Sequence, residues 1–190
     1  ARAWRFATVT TVTSLLGGIA GAWLLLQTPE EGFREAIPWL LLFAMLLFLF
    51  GERLNRGLRK LGARHRHASL AGRLLLLMML FGVCLYGGFF NAGLGIILLS
   101  YLVLAGHTDI NAMNGIKLLV SSVVSLIAIL LFVIDGAIAW REGISVLLGT
   151  LAGGYLAAHV SRSIPQSIVR GFVILAGGLI TLYFFAVTYF

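Results

Sequence analysis

The chain has 190 residues, 60% of them hydrophobic and 11% charged, where an ordinary soluble domain carries about 25% charged residues. One soluble core of this length leaves too much apolar side chain facing water, so the composition implies an all-α, multi-span integral membrane protein. Disorder and collagen-like repeats are excluded by the same numbers, and the single cysteine, Cys84, excludes a disulfide scaffold.

Apolar blocks cover residues 4–26, 36–50, 74–105, 116–134, 144–159 and 168–190. A bilayer-crossing helix needs about 20 residues, so most blocks predict one span each. The first is followed by a turn around Pro29, Glu30, Glu31 and Gly32. After the second comes the segment 53–73, with Arg53, Arg56, Arg59, Lys60, Arg64, Arg66 and Arg73 and no acid. All of the net charge of +7 sits there, because the other seven basic residues are matched by seven acids. Such a segment between apolar blocks has the positive-inside signature of a cytoplasmic loop, and it suits contact with anionic lipid head groups. No aromatic residue interleaves with the basic ones, which argues against nucleic acid. His65 and His67 lie in the same run and lack further ligands for a metal.

The third block is too long for one span. Its middle reads Gly87-Gly88-Phe89-Phe90-Asn91-Ala92-Gly93-Leu94-Gly95, with enough glycine to depress helix propensity sharply. It predicts two short helices meeting at a break inside the membrane. Thr108 or Asp109 is the expected N-cap of the next helix. Asp135-Gly136 and the run from Ser161 to Pro165 mark later turns, and Trp4, Trp39 and Trp140 fall near block ends as interfacial anchors. Cys84, Met78 and Met79 read as packing in an apolar helix.

Residues 16–24 match residues 148–156 at an offset of 132, in the pattern L-G-x-aliphatic-A-G-small-aromatic-L. Pro29 and Arg34 match Pro165 and Arg170 at an offset of 136. The pattern predicts two homologous repeats: 1–52 as the C-terminal part of the first, 53–73 as the basic cytoplasmic loop, and 74–190 as the second. The counterpart of 87–95 would then lie before Ala1. With 53–73 inside, the Glu-rich turn at 27–35 is outside. A broken block that enters and returns makes the copies inverted, as in many secondary transporters, whereas one that crosses only once makes them parallel.

A small oxyanion crossing hydrocarbon must exchange its water shell for protein donors, and amide groups at a broken helix N-terminus supply them. Gly88, Asn91, Gly93 and Gly95 are the first candidates, although close helix packing accounts for such glycines nearly as well. Lys117 lies inside an apolar run with Asn111, Asn114, Ser121 and Ser125 at helical spacings, giving a polar stripe with one cation. The competing account has Lys117 snorkelling to the head groups. His107 and Asp109 are protonatable groups that would permit proton coupling, or they simply occupy a wet turn.

The segment 87–95 and its continuation through Leu104-Ala105-Gly106 resemble the TauE/SafE family of membrane permeases, often called sulfite exporters. The likeness extends to Ala112-Met113-Asn114-Gly115-Ile116-Lys117, to Asp135-Gly136-Ala137-Ile138-Ala139-Trp140 and to the small-residue helix at 149–154. It covers essentially the whole chain, with the N-terminal quarter of a usual member lacking. The resemblance implies secondary transport of a small anion such as sulfite, thiosulfate or an organosulfonate across the bacterial inner membrane, with no cofactor and no catalytic residues. Two other functions stand beside it. An intramembrane enzyme would need a buried Ser–His pair, and the four histidines all fall at block edges or in loops. A passive anion channel could use the same polar groups.

Overall fold

The computed structural model describes residues 2–62, 70–161 and 163–190. They form seven helices: α1 (Arg2–Gln27), α2 (Glu30–Gly62), α3 (Leu70–Phe89), α4 (Leu94–Leu104), α5 (Ile110–Asp135), α6 (Trp140–Ser161) and α7 (Gln166–Tyr189). Five contain segments long and apolar enough to cross a membrane: Thr8–Gln27, Glu30–Gly51, Ile110–Asp135, Trp140–Val160 and Ser167–Tyr189. The apolar parts of α3 and α4, Leu74–Phe89 and Leu94–Leu104, are shorter. At the helical rise they reach about 24 Å and 16 Å, less than a hydrocarbon core about 30 Å thick.

One expectation is corrected. Helix α2 does not stop where its apolar block stops; it continues to Gly62 and draws the first half of the basic segment into regular helix. Arg, Leu and Lys are good helix formers, and between Glu52 and Leu61 only Gly57 and Asn55 weaken the run. The side chain of Arg53 is exposed. Arg64, His65, Arg66 and His67, and the side chains of Arg56, Arg59, Lys60 and Arg73, lie outside the described residues, as does Arg162.

Contacts along the helices fix their relative directions. Gly17 of α1 faces Phe81 and Cys84 of α3, and Gly21 faces Leu85 and Phe89, so α1 and α3 run parallel. The rings of Phe33 and Phe43 on α2 meet those of Phe89 and Tyr86, so α2 opposes α3. Gly93 lies against Ala44 and Leu47 of α2, and Gly51 of α2 against Ile96, so α4 runs with α2 and against α3. The chain therefore reverses direction between Phe89 and Leu94. Helices α2 and α7 are antiparallel along their length. The Tyr189 hydroxyl donates to the Glu35 carbonyl, Trp39 packs edge-on to Phe185, Gly177 lies by Met45, and Arg170 donates to the Leu49 carbonyl.

The core sits where α3, α4 and α5 meet, around Leu80, Cys84, Leu94, Leu98, Leu102, Met113, Val120 and Val124. Helix α1 closes one side of it. The Cys84 thiol donates to Ser14 Oγ at 3.6 Å, and Ser14 in turn donates to the Thr10 carbonyl at 2.7 Å. Cys84 is thus packed as expected, whereas Met78 is 72% exposed and points off the bundle. Every described residue of α6 between Trp140 and Val160 is exposed.

Candidate functional site

The reversal between α3 and α4 is built by two residues in the left-handed backbone region. Asn91 has φ 64° and Gly93 φ 77°, conformations that asparagine and glycine adopt most readily. Tyr86 holds the turn from both ends of its own residue. Its carbonyl accepts from Phe90 N–H at 2.9 Å and from Asn91 N–H at 3.4 Å, while its hydroxyl donates to the Ala92 carbonyl at 2.7 Å. Sequence reasoning missed Tyr86, because nothing in an apolar helix marks which aromatic will reach a turn six residues onward. Gly87 is closed by Leu94 and Val124, and a Cβ there would lie 2.7 Å from Leu94 Cδ2.

At the start of α4, Leu94 N–H is taken by the Asn91 carbonyl, and Ile96 and Ile97 N–H by the Gly93 carbonyl. The N–H groups of Gly93 and Gly95 have no acceptor among the described residues. These two amides lie at the positive end of the α4 dipole. Lys117 of α5 runs beside them: a Cβ on Gly95 would sit 3.5 Å from Lys117 Cδ. The Lys117 side chain is half-buried, and its amine has no ion-pair or hydrogen-bond partner among the described residues. Asn91 Nδ2 donates to Ser125 Oγ at 3.0 Å, tying the turn to α5 two helical turns beyond Lys117. Ser121 lies between them at four-residue spacing, half-buried on the same face. No acidic residue occurs between Arg53 and Thr108 or between Ile110 and Ile134, so neither α3, α4 nor the body of α5 carries a compensating negative charge.

The structure thus brings together Asn91, Gly93, Gly95, Lys117 and Ser121, with Ser125. It does not bring Gly88 to them. Gly88 faces α1, where a Cβ would strike the Gly18 carbonyl and come within 3.0 Å of Gly18 Cα, so its role there is close packing. Asn114 lies one turn from Lys117 and is half-buried. Asn111 is exposed in the first turn of α5, about 21 Å of helix away from Ser125. Asp109 is the α5 N-cap and accepts from Asn111 N–H at 2.9 Å, which ties its carboxylate to the helix end rather than to the reversal. His107 sits in the connection between α4 and α5.

A family model described as sulfite exporter TauE/SafE matches residues 1–184. A "Probable membrane transporter protein YfcA" of Escherichia coli K12 is 25% identical over 171 residues, covering 88% of this chain and 60% of the relative. A "Probable membrane transporter protein" of Haemophilus influenzae is 27% identical over 167 residues, covering 87% of this chain and 62% of the relative. The chain therefore spans about 60% of the length of the curated relatives it matches. No solved structure matches it. Both relatives are named as membrane transporters.

Proposed function

The chain belongs to the sulfite exporter TauE/SafE family, and from that premise we propose that it serves to move a small anion across a bacterial inner membrane by alternating access. The favoured cargo is sulfite or another sulfur oxyanion or organosulfonate. The observation that carries this reading is the pair of unaccepted amides, Gly93 and Gly95, beside the Lys117 stem. Each amide offers a donor from the positive end of α4, and the ammonium of Lys117 supplies the charge that an oxyanion loses on leaving water. Ser121 and the amide of Asn91 extend the polar surface along α5. The same reading takes 1–52 and 74–190 as inverted copies joined by the basic cytoplasmic segment. The opposed directions of α2 and α7 support it, since these two helices occupy equivalent repeat positions.

Lys117→Gln tests the proposal. Losing a charge-assisted contact costs about 1.5–3 kcal/mol, so the apparent affinity for sulfite in proteoliposomes should fall roughly 10- to 100-fold with the melting temperature preserved. Unchanged counterflow of labelled sulfite in Lys117→Gln removes this residue from the site. Single-channel currents in planar bilayers would instead assign the same groups to a passive pore.

A further inference from the structure

Helix α2 carries a buried proline, Pro38, inside its spanning segment. With no N–H it offers nothing to the Arg34 carbonyl, and its ring crowds the preceding turn, so the helix is weakest there. A second proline, Pro29, immediately precedes α2. Residues 30–37 therefore form an arm about 12 Å long between two prolines. One hydroxyl spans the weak point. Tyr189, at the end of α7, accepts from Trp39 Nε1 at 2.9 Å and donates to the Glu35 carbonyl at 3.1 Å, so it holds α2 on both sides of Pro38. Phe185, one turn earlier in α7, packs edge-on to Trp39 at 5.2 Å and stacks on Tyr189 at 6.0 Å. A membrane helix tolerates proline where a neighbour satisfies the backbone it disturbs, and here that neighbour is a single phenol.

The two sides of Pro38 are held differently. Beyond it α2 is tied into the bundle: Phe43 packs edge-on to Tyr86 at 5.6 Å, Ala44 lies against Gly93, and Met45 lies against Gly177. On the arm, Glu30, Glu31, Gly32, Arg34 and Glu35 are exposed, and a Cβ on Gly32 would meet nothing within 4 Å. Phe33 reaches inward from the arm and packs edge-on to Phe89 at 6.0 Å. Phe89 is the last residue of α3 before the reversal, so the arm covers the reversal from the α1–α2 end of the bundle.

We propose that Pro38 is a hinge and the Tyr189 hydroxyl its clasp, and that release of the clasp swings residues 30–37 away from α3, lifting Phe33 off Phe89 and opening a water path to the reversal. A hinge needs only a few residues that absorb the backbone change while the segments on either side move as rigid pieces, and a proline between a loose arm and a packed body meets that need. The motion stands on the packing of α2 alone; its use in admitting an anion rests on the transport reading above.

The test uses purified protein without added anion, so its outcome is separate from that of Lys117→Gln in the flux assay. Spin labels at Gly32→Cys and Met78→Cys, both exposed positions, report the arm against α3 by pulsed electron paramagnetic resonance, and the fully buried Cys84 takes no label. Tyr189→Phe keeps the stacked ring and removes both hydrogen bonds, so it should raise the longer-distance population roughly 5- to 10-fold. Adding Pro38→Ala, which restores the backbone N–H, should return that population to its native level. In separate samples, Ala92→Cys in the turn should react with a water-soluble maleimide faster by a similar factor when Tyr189→Phe is present. Unchanged distances in Tyr189→Phe, a population that stays raised with Pro38→Ala, or a longer distance without faster labelling of Ala92→Cys would each overturn the proposal. Where Pro38→Ala prevents folding, amide exchange in Tyr189→Phe decides: it should rise in residues 30–37 and not in 40–50, and an equal rise in both overturns the hinge.

Discussion

Gly88→Ala should destabilise the protein although it replaces glycine by the best helix former. In the interior of α3 the change should gain roughly 0.8–1 kcal/mol of helix propensity. Against this stands the α1 backbone: the new methyl would strike the Gly18 carbonyl, 3.0 Å from Gly18 Cα and 3.1 Å from Ala22 N. None of these atoms can rotate away, so the helices must separate, at the upper end of the about 1–3 kcal/mol typical of overpacking. Gly82→Ala in the same helix is the control, because a Cβ there meets nothing within 4 Å. The two variants should differ by about 3 kcal/mol, or roughly 6–12 °C in melting temperature for a chain of this size, measured in detergent. Gly21→Ala should behave like Gly88→Ala, since its methyl meets the Leu85 carbonyl and Phe89 N. The double variant should lose less than the sum, because helices already pushed apart by one methyl accept the other more easily. If Gly88→Ala melts with Gly82→Ala, the close parallel packing of α1 on α3 is wrong.

Other changes probe the reversal itself. Asn91→Gly keeps the left-handed backbone and loses only the bond to Ser125, so it should cost about 0.5–1.5 kcal/mol. Asn91→Val should cost about 1–2 kcal/mol more, because a β-branched side chain resists positive φ; equal melting temperatures for the two would refute the turn geometry. Tyr86→Phe removes the donor to the Ala92 carbonyl and should cost about 1 kcal/mol, with faster amide exchange confined to residues 90–97. Exchange that rises equally throughout α3 would show that Tyr86 holds the helix rather than the turn.

The longer apolar runs made spanning segments legible by length, whereas the blocks at 36–50 and 144–159 are shorter than the spans Glu30–Gly51 and Trp140–Val160 that contain them. The sequence narrowed the α5 N-cap to Thr108 or Asp109, short acceptor side chains just ahead of an apolar run, and Asp109 holds it. Within 87–95 the glycine density announced that helix would be hard to sustain, but not which glycine does what. Gly87 and Gly88 turn out to lie inside α3 and pack against neighbours, while the turn conformations fall to Asn91 and Gly93. That division depends on α1 being alongside, which no local pattern encodes. The exposure of Met78 was illegible for a related reason: α3 is apolar all round, and such a helix offers no moment from which to read its buried face. The helical extension of α2 to Gly62 was hidden because charge patterning reports which side of a membrane a segment occupies and says nothing of its backbone conformation.

Depth in the bundle decides how the reversal should be understood. Phe89 packs against Gly21, six residues, or about 9 Å of helix, short of the end of α1 at Gln27. At such a depth lipid offers no hydrogen-bond partner, so every exposed polar backbone group must find one in protein, water or a ligand. Tyr86 and the carbonyls of Asn91 and Gly93 satisfy most of the turn, and the amides of Gly93 and Gly95 are left over. Two unaccepted donors facing hydrocarbon would cost about 1–3 kcal/mol each, a large share of the stability of any small fold. A turn whose only purpose was to pack α4 against α3 would carry that penalty without return. On the proposed function the penalty vanishes, because the two amides then face a wet passage or the anion, with the half-buried Lys117 stem beside Gly95.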